Sequence, residues 1–265
     1  MIPSSFITAW REYAPWPSDA QVEQDLVISR CLVELFSESE LQEKLSFRGG
    51  TALYKLFAAS PVRYSEDIDL VRTSEETGIE NIARNIVTIL DPVFTQSPTI
   101  SQDSFTYDIK YAFTAENAAN TPLFVKIEIN KRDFGSFLGY RQINYSVDND
   151  WFSGAASIRS YSIEELLSTK LIALLRRRKG RDLFDLWYFC KELDVDLNKM
   201  VETFNRYVPP KTPPISRDAF LTELSEKAED PAFRSDVDNY LTPGTKWEFE
   251  SAMAFVIEKV LPLLE

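Results

Sequence analysis

The sequence predicts an α+β chain, with a sheet-bearing front half over residues 1–155 and a helical back half over residues 156–265. Three observations predict it. Residues 105–111 and 123–130 alternate apolar and polar side chains with the period of two that marks half-buried strands. Beyond Ser157 the apolar residues recur at helical spacing instead. The chain is 265 residues long, 44% hydrophobic and 26% charged, enough for one large globular domain or two modest ones.

Taken in order, residues 20–37 read as a mostly buried helix, with Val22, Leu26, Ser29, Val33 and Phe36 on one stripe. Residues 45–48 read as a short strand ending at Gly49-Gly50, and Thr51 starts a helix containing Ala52, Leu53, Leu56 and Phe57. A strand bearing Asp67 and Asp69 follows, then a helix over about 75–90 that stops before Pro92. The two alternating strands come next. In the second of them Lys126, Glu128 and Asn130 share the polar face. Ser162-Ile163-Glu164-Glu165 has capping-box form and opens a helix to about Lys179, where Gly180 interrupts it, and a second helix runs from Arg181 to about Leu193. Residues 209–214, Pro-Pro-Lys-Thr-Pro-Pro, form a stiff linker or exposed loop. Thr245-Lys246-Trp247-Glu248 repeats the capping-box form ahead of a last helix.

A net charge of −12 argues against broad non-specific binding of nucleic acid but leaves room for a local basic cleft. Two cysteines, Cys31 and Cys190, stand in no metal-ligand spacing and suit a reducing cytosol. The chain has no histidine, so histidine triads, zinc–histidine sites and imidazole general bases are excluded. Its N-terminus lacks the basic stretch and apolar core of a signal peptide, and runs such as Leu171-Ile172-Ala173-Leu174-Leu175 are too short to span a bilayer. The expected location is the cytoplasm, with no membrane partner.

Asp67 and Asp69 fall on one face of their strand, with Cα atoms roughly 7 Å apart. At ~5 Å and an effective dielectric of ~20, two such carboxylates repel by about 3 kcal/mol. A divalent cation between them relieves that repulsion, and an all-oxygen ligand set favours Mg²⁺ or Mn²⁺. Glu128, on the polar face of a later strand, is the third expected ligand. Gly49-Gly50-Thr51 at a strand-to-helix junction offers backbone N–H groups and the positive end of a helix dipole, an anion site suited to nucleotide phosphates. A plain tight turn and two solvated acids are the ordinary alternatives. Arg63 and Ser65 precede the aspartates and are placed to reach a nucleotide. Further along, Lys170, Arg177 and Arg181 lie near one helical stripe, and five of the six residues from 176 to 181 are basic. This reads as a triphosphate clamp by Lys170, with Arg176, Arg177, Arg178 and Lys179 guiding an RNA backbone, or else as a solvated helix end. Arg181 and Asp182 are spaced to pair locally, with Asp185 one turn on.

Phe47-Arg48-Gly49-Gly50-Thr51-Ala52-Leu53 and Arg63-Tyr64-Ser65-Glu66-Asp67-Ile68-Asp69-Leu70 together resemble the nucleotidyltransferase toxins of the AbiEii/AbiGii and MenT type, within the polymerase-β-like nucleotidyltransferase superfamily. The resemblance extends through Lys126-Ile127-Glu128-Ile129, Lys170 and Arg181-Asp182-Leu183-Phe184-Asp185-Leu186, about residues 45–190 in all. It departs in the 16 residues between Gly50 and Asp67, a longer gap than in many members. It implies a nucleotidyltransferase core followed by a helical domain that completes the active-site cleft. It also implies a Mg²⁺-dependent enzyme moving NMP from an NTP to an RNA hydroxyl, the tRNA 3′ end, as the toxin of a toxin–antitoxin or abortive-infection system with an operon-encoded antitoxin. On this reading Lys170, Asp182 and Asp185 join the catalytic set, and Gly49, Gly50, Thr51, Arg63, Ser65, Lys170 and Arg181 bind the nucleotide. Alternatives that share the fold are a protein-AMPylating enzyme, a small-molecule nucleotidyltransferase and an inactive nucleotide-binding regulator.

Overall fold

The computed structural model describes residues 2–76, 78–117, 121–208 and 215–264. The proline-rich stretch at 209–214 lies outside the described residues. The chain forms two compact units, Met1–Tyr161 and Ser162–Glu265.

The first unit is a mixed sheet flanked by helices. Its helices are α1 (Ser4–Trp10), α2 (Asp19–Ser37), α3 (Ser39–Lys44), α4 (Gly49–Leu56) and α5 (Ile79–Leu90). Its strands are β1 (Leu45–Arg48), β2 (Asp67–Arg72), β3 (Thr99–Gln102), β4 (Thr106–Thr114), β5 (Pro122–Phe134), β6 (Tyr140–Asn149) and β7 (Phe152–Tyr161). They line up as β3-β4-β5-β2-β1-β7-β6. β2 is central, antiparallel to β1 and parallel to β5. Ser18 starts α2 with a full capping box, accepting from the Gln21 amide while the Gln21 side chain returns to the Ser18 backbone. The core is built by Ile68, Leu70, Val125, Ile127 and Ile129 from the central strands and Leu26, Ile28, Leu32 and Phe36 from α2, each essentially buried.

The sequence reading leaves out α1, α3 and β3, starts α5 about four residues early, and departs from this unit in two further places. α4 begins at Gly49 rather than Thr51, because Gly49 takes a φ of +83° and turns the chain directly from β1 into the helix. The β6–β7 hairpin went unread, and β7 extends to Tyr161 through residues expected to be helical beyond Ser157. Gly154, Ala155 and Ala156 supply almost no apolar alternation, and β6 leaves most of its side chains at least partly exposed.

In the second unit, Ser162 accepts from the Glu165 amide and opens α6 (Ile163–Arg176), as its capping form predicts. It is followed by α7 (Gly180–Glu192), α8 (Leu197–Tyr207), α9 (Arg217–Ala228), α10 (Pro231–Ser235) and α11 (Phe249–Phe255). Gly180 is the first residue of α7, where a Cβ would stand 2.0 Å from the Phe233 carbonyl oxygen. The buried Lys227 ammonium donates to the Leu174 and Leu175 carbonyls at 2.6 Å each, closing the C-terminal end of α6. The second capping box does not form. Glu248 itself precedes α11 without a side-chain cap, and the Thr245 amide donates to the Thr242 carbonyl in a turn. No described helix is long and apolar enough to cross a membrane.

Candidate functional site

The site is built on β2 and its two neighbours. Asp67 is exposed and Asp69 half-buried, while Ile68 and Leu70 are buried on the opposite face. Parallel pairing sets Asp67 beside Lys126 and Asp69 beside Glu128. On the other side, β1 sets Arg48 opposite Asp69. A Cβ on Gly49 would stand only 1.9 Å from Asp69 Oδ2. The Asp69 carboxylate therefore lies directly on the backbone where β1 turns into α4, and only glycine fits beneath it. Arg48 pairs with Asp133 at 3.0 Å. Burial works to lower the Arg48 pKa, but Asp133, Tyr161 and Asp69 outweigh it and push the value up, so the guanidinium stays charged. A cleft of about 320 Å³ opens beside Asp67, walled by Glu66, Lys110, Phe124 and Lys126.

The expected gathering of three carboxylates is altered by a lysine. Lys126 Nζ lies 2.6 Å from Glu128 Oε2 and 3.2 Å from Asp108 Oδ2. Burial works to lower the Lys126 pKa, yet the hydrogen bond and charge of Glu128, with those of Asp108, raise it. Among the described residues no group of three or more acidic or sulfur and imidazole ligands is positioned to hold a metal ion. The donor chemistry still fits a hard divalent cation: Asp67 and Asp69 share a face, Glu128 is the register partner of Asp69, and the turn beneath Asp69 carries no side chain. Lys126 is the residue that sequence reasoning missed. The signal was present, since the alternation already put it on the face of Glu128.

The nucleotide candidates Thr51, Arg63 and Ser65 are brought together near the start of α4. Thr51 Oγ1 donates to Ser65 Oγ at 3.0 Å. Arg63 is buried, donates to the Tyr64 carbonyl at 2.9 Å and lies over the Tyr54 ring at 4.9 Å.

The second unit holds a separate charge cluster. Lys170 lies 3.1 Å from Asp182 and 2.8 Å from Asp185, and both aspartates are fully buried. Arg177 donates to both Asp182 oxygens, Nε at 2.7 Å and Nη2 at 2.8 Å. Burial alone would raise the Asp182 pKa, but Lys170 and Arg177 bring it down to about 2. Asp182 thus pairs with Lys170 and Arg177 rather than with Arg181, correcting the local pair expected from the sequence. The Arg181 backbone amide donates to Asp236 at 3.1 Å, and its guanidinium lies over Tyr240 at 5.2 Å. The helical stripe is corrected too, because α6 ends at Arg176 and Arg177 is already extended. Arg176, Arg177, Arg178 and Lys179 are all exposed, with Arg178 near Glu226 at 3.8 Å and Lys179 near Asp236 at 3.6 Å.

The family model for the nucleotidyl transferase AbiEii toxin of type IV toxin–antitoxin systems matches residues 30–255. The chain belongs to the AbiEii nucleotidyltransferase toxin family. It is a nucleotidyltransferase of the polymerase-β-like superfamily, as the motifs led one to expect. Among solved structures it is similar to MenT4, a nucleotidyltransferase toxin from Mycobacterium tuberculosis, with a TM-score of 0.58 and 14% identity over 97% of this chain and 99% of that one. It is also similar to a protein from H. pylori assigned as a nucleotidyltransferase, with a TM-score of 0.52 and 19% identity over 94% and 99% of the two chains. At these identities the likeness is one of fold. Among curated proteins no match was found.

Proposed function

We propose that this AbiEii-family enzyme is a Mg²⁺- or Mn²⁺-dependent toxin that transfers NMP from an NTP to an RNA hydroxyl, with the tRNA 3′ end as acceptor. The observation that carries this reading is the Asp69 carboxylate lying on the Gly49 turn, with Asp67 on the same face and Glu128 in register beside it. Backbone N–H groups at Gly49 and Gly50, at the positive end of α4, hold the phosphates. The acceptor oxygen attacks the α-phosphorus, the bond to the β-phosphate oxygen breaks, and pyrophosphate leaves. Asp69 or Glu128 takes the proton of the attacking hydroxyl, so no histidine is needed. A divalent cation held by Asp67, Asp69 and Glu128, when bound, supplies Lewis-acid stabilisation of the charge developing on the phosphate. Lys170, Asp182 and Asp185 order the start of α7, and the exposed cations Arg176, Arg177, Arg178 and Lys179 support contact with an RNA backbone.

Incubating the protein with each α-labelled NTP, Mg²⁺ and either tRNA or total RNA tests the reading. Label on RNA, lost in Asp69→Asn, is the expected result. Label on protein points to AMPylation of a partner, label on a small molecule to that acceptor class, and no label to an inactive regulator. Each of these outcomes overturns the RNA assignment. Co-purification of the product of an adjacent gene tests the antitoxin.

A further inference from the structure

A second cavity, of about 190 Å³, lies in the first unit and shares no lining residue with the cleft at Asp67. A protein cavity of about 150 Å³ accepts benzene, so this one has room for one ring system and not for a whole nucleotide. Its walls are aromatic: Trp10, Tyr13, Trp16 and Tyr54 all line it. Asp25, also in the lining, is neutralised within the wall, since Lys55 Nζ reaches it at 2.6 Å and Trp10 Nε1 donates to it at 2.8 Å. A cationic ligand therefore finds its acid already engaged. Trp16 presents the opposite demand. It is only 2% exposed, and its Nε1 has no hydrogen-bond partner among the described residues. A buried donor of this kind calls for an acceptor. Thr51, Arg63 and Ser65 also line the cavity. Thr51 follows Gly50 directly, and Ser65 stands two residues before Asp67.

We propose that this cavity receives the base of the nucleotide substrate, its ring lying among the aromatic walls and a ring acceptor taking the Trp16 Nε1 hydrogen. The assignment rests on the nucleotidyl-transfer reading above, and it gives the two ends of one molecule separate holders. The phosphates sit at the Gly49–Gly50 turn, the ring in the cavity, and Thr51 and Ser65 stand between them.

Calorimetric titration of the full chain with the four ribonucleosides, and separately with tripolyphosphate, tests it without any transfer step. Trp16→Phe keeps the ring and removes the donor, so nucleoside affinity should fall about tenfold while tripolyphosphate affinity is unchanged. Ala58→Trp, at the cavity wall, should abolish nucleoside binding. Wild-type protein that binds no nucleoside, or variants that bind as wild type does, would overturn the proposal. Photo-crosslinking of wild-type protein with 8-azidoadenosine and 4-thiouridine settles the matter if the variants do not fold. Adducts on the peptide carrying Trp10 and Trp16 support the cavity, and adducts confined to other peptides sink it. Transfer lost in Asp69→Asn while nucleoside binding persists is the result both readings expect. Wild-type protein that binds nucleoside yet transfers no label leaves the cavity standing and removes the transfer reading. Transfer with variant-insensitive binding removes the cavity alone.

Discussion

Replacing Gly49 by alanine asks two things of the fold at once. The residue sits at φ +83°, where an L side chain costs roughly 1–2 kcal/mol. Its new Cβ would also lie 1.9 Å from Asp69 Oδ2, so the carboxylate must retreat by about 1.1 Å to regain the 3.0 Å that real Cβ atoms respect. A displacement of ~1 Å in a positioned reacting group costs on the order of 10²-fold in rate, or about 2.7 kcal/mol of transition-state stabilisation. Gly139 supplies the control. It has a φ of +82° and nothing within 4 Å of an added Cβ, so Gly139→Ala carries the backbone strain without the collision. Both variants should lower Tm by about 2–8 °C, measured by circular dichroism. Only Gly49→Ala should lose about 10²-fold in the initial rate of label transfer from NTP. If Gly49→Ala retained the wild-type rate while melting like Gly139→Ala, the placement of Asp69 on the turn would not matter to the chemistry.

Other perturbations follow from the same geometry. Asp182 is held at about 2, below the ordinary 3.8. Its contribution to stability is therefore complete above the ordinary value and drains away as pH falls toward 2. Asp182→Asn should cost about 3 kcal/mol at neutral pH and flatten that acid limb in pH-dependent urea melts; an unchanged limb would show that the buried cluster does not govern it. Gly180→Ala should destabilise the protein by about 1–3 kcal/mol despite alanine's higher helix propensity, because the added Cβ meets the Phe233 carbonyl at 2.0 Å; a raised Tm would refute that contact. Lys126→Met frees Glu128 from its ammonium partner and should tighten Mn²⁺ binding several-fold by electron paramagnetic resonance titration. Weaker binding would mean that Lys126 positions Glu128 rather than competing for it. Removal of divalent ions with EDTA should abolish transfer, and added Mg²⁺ should restore it.

The parts legible in the sequence are those governed by short-range periodicity. Alternation placed β4 and β5, and it put Lys126 and Glu128 on one polar face. The two-residue step of β2 put Asp67 and Asp69 together, and Ser162 began α6 where its cap predicts. What escaped depends on partners distant in the chain. The β6–β7 hairpin carries small residues whose pairing comes from neighbours rather than local pattern. The pairing of Asp182 with Lys170 and Arg177 depends on α6 stopping at Arg176, which helical spacing alone does not disclose. The box at Thr245 failed because its motif lies one turn too early for α11. The aromatic cavity near the N-terminus gave no warning, since Trp10, Trp16 and Tyr54 come from separate segments.

β2 and β5 run parallel, so the chain must travel through α5, β3 and β4 before Glu128 can arrive next to Asp69. Connections of that length close slowly. During synthesis, a nascent chain released before β5 carries both aspartates and the glycine turn yet has no third acid beside them. On the proposed reading, the site is therefore completed only once β5 has been made. A substitution that loosens the β2–β5 seam should separate Glu128 from Asp69 and lower the rate of transfer.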